Sequence, residues 1–213
     1  MNEDIANLIA SDLLDINAVT LRTNPPFTWA SGIKSPIYTD NRLTIAYPRL
    51  REQIAAGLSQ LIAKKYPEAT VIGGVATAGI PHATLVAANL NLPLIYVRSK
   101  PKDHGQGKQT EGRLAVTDKA VLIDDLISTG GSVLNAAKAV QAEGSTVLGV
   151  CGIFSYQLPD AVRNFKAAGL NLDTLTDYDH LIDAAVAHGH LPAEELDSVK
   201  QWRQDPWQWQ GTK

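Results

Sequence analysis

In Val121-Leu-Ile-Asp124-Asp125-Leu-Ile-Ser128-Thr129-Gly130-Gly131-Ser132, apolar residues give way to two acids and then to hydroxyls and glycines. The apolar start reads as a buried strand that delivers two consecutive carboxylates to its end. A short turn of hydroxyls and glycines then opens a helix from roughly Gly131 to Glu143, stopped by Gly144. Glycines let the backbone curl so that several N–H groups face one concavity, and the helix N-terminus adds partial positive charge. Residues Leu126, Ile127, Ser128, Thr129, Gly130, Gly131 and Ser132 therefore read as a cradle for a phosphate monoester. Asp124 and Asp125 beside it suit hydrogen bonds from a sugar diol and help hold a divalent cation. One acid before a hydroxyl cap is ordinary turn chemistry. The unbroken series of acids, hydroxyls and glycines is what points to a ribose-phosphate site.

Outward from this run, apolar strands alternate with helices. Thr70–Val75, Leu94–Val97, Ala120–Asp124 and Ser145–Phe154 read as strands, with helices through Ala83–Asn89 and Asp160–Ala168. Continuously apolar strands separated by helices imply an α/β fold with a central parallel sheet covered on both faces. Ligands in such sheets bind beyond the carboxyl ends of the strands. Ile5, Leu8, Ile9, Leu13 and Ile16 mark an N-terminal amphipathic helix. Ala18–Asn41, broken by Pro25, Pro26 and Gly32, reads as a small hairpin-like hood, and Pro48 starts a helix to about Lys65. The expected organisation is one integrated domain: residues 1–45 as helix and hood, residues 46–213 as core, with C-terminal helices and a Trp-rich tail.

Composition narrows the function. The chain has 213 residues, 45% of them hydrophobic, and a net charge of -3, which argues against a nucleic-acid or anionic-membrane binder. No apolar run approaches a membrane span, and the start Met-Asn-Glu-Asp lacks a signal-peptide pattern, so a cytoplasmic protein is expected. A single cysteine, Cys151, excludes an internal disulfide framework and reads as inert core. Neither G-x-x-x-x-G-K-[ST] nor a strand-borne G-x-G-x-x-G is present, so triphosphatase and dinucleotide loops are not supported.

Two further segments carry chemistry. Gly73 and Gly74 precede Ala76, Thr77, Ala78 and Gly79, a turn whose backbone N–H groups can bind diphosphate without cationic side chains; close helix–sheet packing is the bland reading of the glycines. Arg98, Lys100, Lys102 and His104 concentrate positive charge in a Gly-rich segment of an otherwise acidic chain. Such a loop can cover a polyphosphate, neutralise charge on a departing diphosphate and exclude water; a solvated basic loop is the ordinary alternative.

The run around Asp124 resembles the phosphoribosyl-diphosphate signature of the type I phosphoribosyltransferases, and within them the orotate phosphoribosyltransferases. Phe27–Arg42 is similar to that family's cap, Gly73–Pro81 to its diphosphate loop and Arg98–Gly112 to its catalytic loop. The resemblance implies transfer of ribosyl 5-phosphate from phosphoribosyl diphosphate to orotate in pyrimidine synthesis, with Mg held mainly through substrate near Asp124 and Asp125. It implies Lys102, His104, Asp124 and Asp125 as catalytic candidates. Arg98 and Lys100 join them and the cradle as donor-binding groups, and Ser128, Tyr38 and Lys34 stand near orotate. It also implies a strained peptide in the diphosphate loop, and a homodimer whose Arg98–Gly112 loop reaches the neighbouring subunit. Some family members carry lysines at the places of Ala30, Ala78 and Ser99, and an arginine near Tyr156; Lys34 and Lys100 stand near enough to substitute. A phosphoribosyltransferase for another base, and a non-catalytic sensor of the sugar donor, are the alternatives. His180, His188 and His190 show no metal-ligand spacing supported by nearby acids, and Trp202, Trp207 and Trp209 read as packed on the body or on a partner subunit.

Overall fold

The computed structural model describes residues 3–29, 31–101 and 108–211. Helix α1 (Glu3–Asp15) buries Ile9, Ala10 and Leu13 along the face its periodicity marks. Four short strands follow: β1 (Val19–Leu21), β2 (Phe27–Thr28), β3 (Lys34–Ser35) and β4 (Ile37–Thr39). β1 pairs with β4 and β2 with β3, both antiparallel, so the hood is two small ribbons. A 3-10 turn over Asn41–Ala46 leads into α2 (Pro48–Lys65), whose first position suits proline.

The alternating part runs β5 (Val71–Val75), α3 (Gly79–Leu90), β6 (Leu94–Val97), β7 (Thr110–Glu111), β8 (Lys119–Ile127), α4 (Gly131–Ala142), β9 (Thr146–Ser155), α5 (Pro159–Ala168), β10 (Asn171–Asp177), α6 (Tyr178–Ala187) and α7 (Leu196–Gln204). The central sheet has the order β10-β9-β8-β5-β6-β7. It is parallel except for β7, which pairs antiparallel with β6 at one edge. β8 shows why its run is apolar throughout. Val121 and Ile123 enter one core cluster, Ala120 and Leu122 the other, so helices cover both faces of the strand. Each large aliphatic side chain buried this way contributes roughly 1.5–3 kcal/mol.

Two sequence expectations need correction. β10 was not expected, because Asn-Leu-Asp-Thr-Leu-Thr-Asp is too polar to read as a strand; its pairing with β9 makes it one. The paired acids do not end β8 either. The strand continues through Leu126 and Ile127, which pair with Phe154 and Ser155 of β9. On its other side β8 loses its partner earlier, the last β5 pair being Gly74 with Ile123. Asp124 and Asp125 thus lie on a strand supported from one side and open on the other.

An aromatic cluster seats the hood over those strand ends. The Trp29 ring lies 4.9 Å from Tyr156 and 5.6 Å from Trp202, and Phe154 stands edge-on to Tyr156 at 5.1 Å. Trp202 is fully buried, and its Nε1 donates to the Lys34 carbonyl at 2.8 Å, joining α7 to the hood. Trp209 is buried as well, whereas Trp207 is exposed. Among the described residues, no helix is long and apolar enough to cross a membrane.

Candidate active site

The turn after β8 is built as its residue types require. Gly130 takes φ +79°, and a Cβ there would stand 2.6 Å from the Phe165 ring of α5. Asn164 Nδ2, also on α5, donates to the Thr129 carbonyl at 2.9 Å and pins the turn. Residues 126–133 and Asp124 enclose a hollow of about 70 Å³ at the N-terminus of α4. Unpaired helix-terminal N–H groups and the helix dipole favour an anion there.

A second cavity of about 340 Å³ adjoins it and shares Asp124, Leu126 and Ser132 as wall residues. Its far wall is Ala76, Thr77 and Ala78, between β5 and α3, and the peptide joining Ala76 to Thr77 is cis. That wall stands close to β8 because Gly79 lacks a side chain. A Cβ there would collide with the Ile123 carbonyl oxygen and lie 3.1 Å from Asp124 Cα. The hood closes the cavity with Thr39, Asp40 and Arg42. Arg42 forks onto Asp40, Nε to Oδ1 at 2.6 Å and Nη2 to Oδ2 at 2.9 Å, and it is the basic side chain among these wall residues. A roomier cavity of about 530 Å³, running along β10, has no glycine turn in its wall.

Asp124 is buried, and its Oδ1 accepts from the Asp125 N–H at 3.0 Å. Burial first, and then the charge of Asp125, push the Asp124 carboxyl well above the usual carboxylate range. Burial also pushes Asp125 upward. Two desolvated acids on one wall gain from any cation or diol hydroxyls brought between them. Asn41 Oδ1, also buried, has no hydrogen-bond partner among the described residues. Asn41 stands outside the cavity wall, whereas the carboxylates of Asp124 and Asp125 on it are oxygen donors of the kind that fits a hard divalent cation such as Mg²⁺.

The other sequence candidates lie farther out. Tyr38 is exposed on the hood beside Phe27, with ring centroids 5.8 Å apart, and Lys34 Nζ donates to Thr28 Oγ1 at 2.7 Å; neither is among the wall residues. Arg98 Nη1 stands 3.9 Å from a Glu111 carboxylate oxygen, its backbone N–H donates to the Gln109 carbonyl at 2.9 Å, and Lys100 is exposed. Lys102 and His104 lie outside the described residues, as does Ala30. Ala78 is the residue before α3, and Tyr156 is filled in by the aromatic cluster rather than facing the cavity wall. Arg42 and Asn41 lie in the cap segment Phe27–Arg42, and residue types alone give them no role. Their signal was an Asp-Asn-Arg triplet directly after an extended, Pro-bounded strand.

Residues 46–163 match the model of the phosphoribosyl transferase domain. An orotate phosphoribosyltransferase of Levilactobacillus brevis is 63% identical over 96% of this chain and 97% of its own. This chain belongs to the orotate phosphoribosyltransferase family. Its counterpart from Lactiplantibacillus plantarum is 61% identical over 97% of each chain. Among solved structures, orotate phosphoribosyltransferase of Aeropyrum pernix superposes with a TM-score of 0.73 at 25% identity, covering 86% of this chain and 99% of that one. As an orotate phosphoribosyltransferase the chain is a pentosyltransferase, and the parallel sheet with its glycine turn is the fold that the sequence resemblance implied.

Proposed function

We propose that the two adjoining cavities together bind phosphoribosyl diphosphate, which reacts with orotate to give orotidine 5′-phosphate and diphosphate. One observation carries this reading: a phosphate-sized hollow, a pair of carboxylates and an amide-rich turn follow one another along a single connected wall. That order matches the donor, a phosphate at one end, a diol in the middle and a diphosphate at the other end.

In this arrangement residues 126–132 hold the 5′-phosphate and Asp124 and Asp125 accept from the ribose hydroxyls. The backbone of Ala76, Thr77, Ala78 and Gly79 receives the diphosphate. A ring nitrogen of orotate bonds to the anomeric carbon while the bond from that carbon to the diphosphate oxygen breaks; the electron pair leaves with diphosphate, and the proton the nitrogen carried passes to the released diphosphate or to water. Asp124 and Asp125 stand where they would hold Mg²⁺ through the substrate. Bound there, the ion supplies charge neutralisation for a polyanionic leaving group. Arg42 stands on the same wall with its charge paired to Asp40, and Lys102 and His104 are assigned to the leaving group. Ser128, Tyr38 and Lys34 are assigned to the orotate side. Pairing of two chains through the Arg98–Gly112 segment belongs to the same reading.

The deciding assay follows orotate absorbance with donor and Mg²⁺, each omitted in turn, beside a panel of purine and pyrimidine bases. Orotate should be consumed only when all components are present. Diphosphate release with another base and none with orotate would replace the substrate assignment. Donor binding without turnover of any base would leave a sensor.

A further inference from the structure

We propose that Asp15, His188 and His190 form a binding site for a borderline transition-metal ion, Zn²⁺ foremost, that joins the end of α1 to the end of α6. The three side chains are exposed, and one ligand atom from each lies within 4.8 Å of the others. The His188 and His190 rings stand 6.5 Å apart between centroids. Residue spacing alone places no acid beside these histidines. The acid is present, brought from more than a hundred and fifty residues away by the packing of the N-terminal helix.

The backbone under the site is fixed. Gly189 adopts φ +75°, its N–H donates to the Val186 carbonyl at 3.2 Å, and the His190 N–H donates to the Ala185 carbonyl at 2.8 Å. This pair of hydrogen bonds is the Schellman closure of a helix, so the two histidines flank its left-handed glycine. Asp15 is the last residue of α1, where the Ile16 N–H still donates to the Asp12 carbonyl at 3.1 Å. Two helix C-termini, each with a partial negative charge, therefore meet at the cluster and favour a cation over an anion. Donor chemistry then selects the cation. Two imidazoles and one carboxylate suit Zn²⁺, Ni²⁺ or Cu²⁺, whereas Mg²⁺ prefers oxygen alone. A tetrahedral ion with bonds near ~2.0–2.1 Å needs its ligand atoms somewhat closer than they stand, and rotation of exposed side chains supplies that movement. None of the three residues lines the cavities assigned to the sugar donor, so this site is independent of that chemistry.

The test uses the full chain after chelator treatment, titrated with ZnCl₂ by calorimetry and followed by thermal denaturation with and without the metal. The wild type should bind one more Zn²⁺ than the His188→Gln/His190→Gln variant, and Zn²⁺ should raise its melting temperature but not that of the variant. Asp15→Asn should weaken that binding by at least the roughly 10–100-fold that disturbing an outer partner of a ligand costs. His180→Gln, which alters the separate pair of His180 Nδ1 with Asp177 Oδ1 at 2.7 Å, should leave it unchanged. Circular dichroism of the metal-free variants should match the wild type, since all three positions are at the surface. Equal stoichiometry and affinity in the wild type and the double variant, or loss of the extra ion in His180→Gln instead, would overturn the proposal.

Discussion

The side-chain amide of Asn41 donates to the backbone carbonyl of Asp125 at 2.7 Å, linking the hood to the strand that carries both acids across 84 residues of sequence. Asn41 is fully buried and Asp125 half-buried, so the donor's end of this bond is shielded from water. Asn41→Ala leaves the carbonyl unpaired and should cost about 1–3 kcal/mol of stability. Asn41→Asp sets another carboxylate against that carbonyl and beside Asp125, and should be worse. Urea unfolding of both variants checks the order, and a wild-type midpoint for Asn41→Ala would show that the bond to Asp125 contributes nothing to seating the hood.

Asp124 gives a prediction in which stability and activity move in opposite directions. Its folded-state carboxyl is raised above the usual range by burial and by Asp125, while the unfolded chain has the ordinary value. Between the two values the native state holds a proton that the unfolded state has released. Stability therefore falls as pH climbs from the ordinary carboxylate range through the raised one. Asp124→Asn removes that penalty. In ligand-free protein its melting temperature should match wild type near about pH 4 and exceed it at neutral pH, by about 2–4 °C for each ~1 kcal/mol gained. Mg²⁺-dependent turnover should be lost in the same variant. Differential scanning fluorimetry across pH decides the matter, and a variant less stable than wild type at neutral pH would contradict the burial argument.

Gly79 sets the distance between the Ala76–Ala78 turn and Asp124. Because an added Cβ meets the backbone of Ile123 and not a movable side chain, Gly79→Ala must shift α3 or β8. Overpacking of this kind costs about 1–3 kcal/mol or more. Donor affinity should fall further than stability alone accounts for, which calorimetry of donor binding at a temperature well below the melting point will show. Unchanged affinity would mean that the turn does not hold the diphosphate.

Lys102 and His104 are assigned to the leaving group on chemistry and on family resemblance. Lys102→Ala or His104→Ala should lower kcat by about 10²–10⁴, the range for positioned acid or charge catalysts, with smaller changes in ground-state binding. Steady-state kinetics at saturating donor separates the two, and wild-type turnover in both variants would remove the assignment.

Much of the fold could be read directly, because β5, β8 and β9 carry unbroken apolar runs and helices such as α1 and α2 carry clear periodicity or a proline start. β10 could not. Its Asp173 receives hydrogen bonds from Lys65 Nζ at 2.6 Å and Tyr66 Oη at 2.7 Å, partners at the end of α2 and just past it, more than a hundred residues earlier. The glycine turn and the two acids were legible at the site because their neighbours in sequence are also neighbours in space. Arg42 and Asn41 were marked only by an Asp-Asn-Arg triplet, and the Asp15–His188–His190 group by nothing. Their meaning depends on which distant elements the topology places beside them, and residue spacing carries no record of that.

Cys151 is the chain's single thiol and lies fully enclosed in β9, where burial pushes its pKa upward. A thiol in that state is a poor nucleophile, so alkylating reagents should leave the native protein alone and label only molecules whose sheet has come apart. The rate of labelling becomes a clock for global opening, supplied by the wild-type chain without any engineered probe. Under fast-reclosing conditions it reports the equilibrium population of the open form, and at high reagent concentration the opening rate itself.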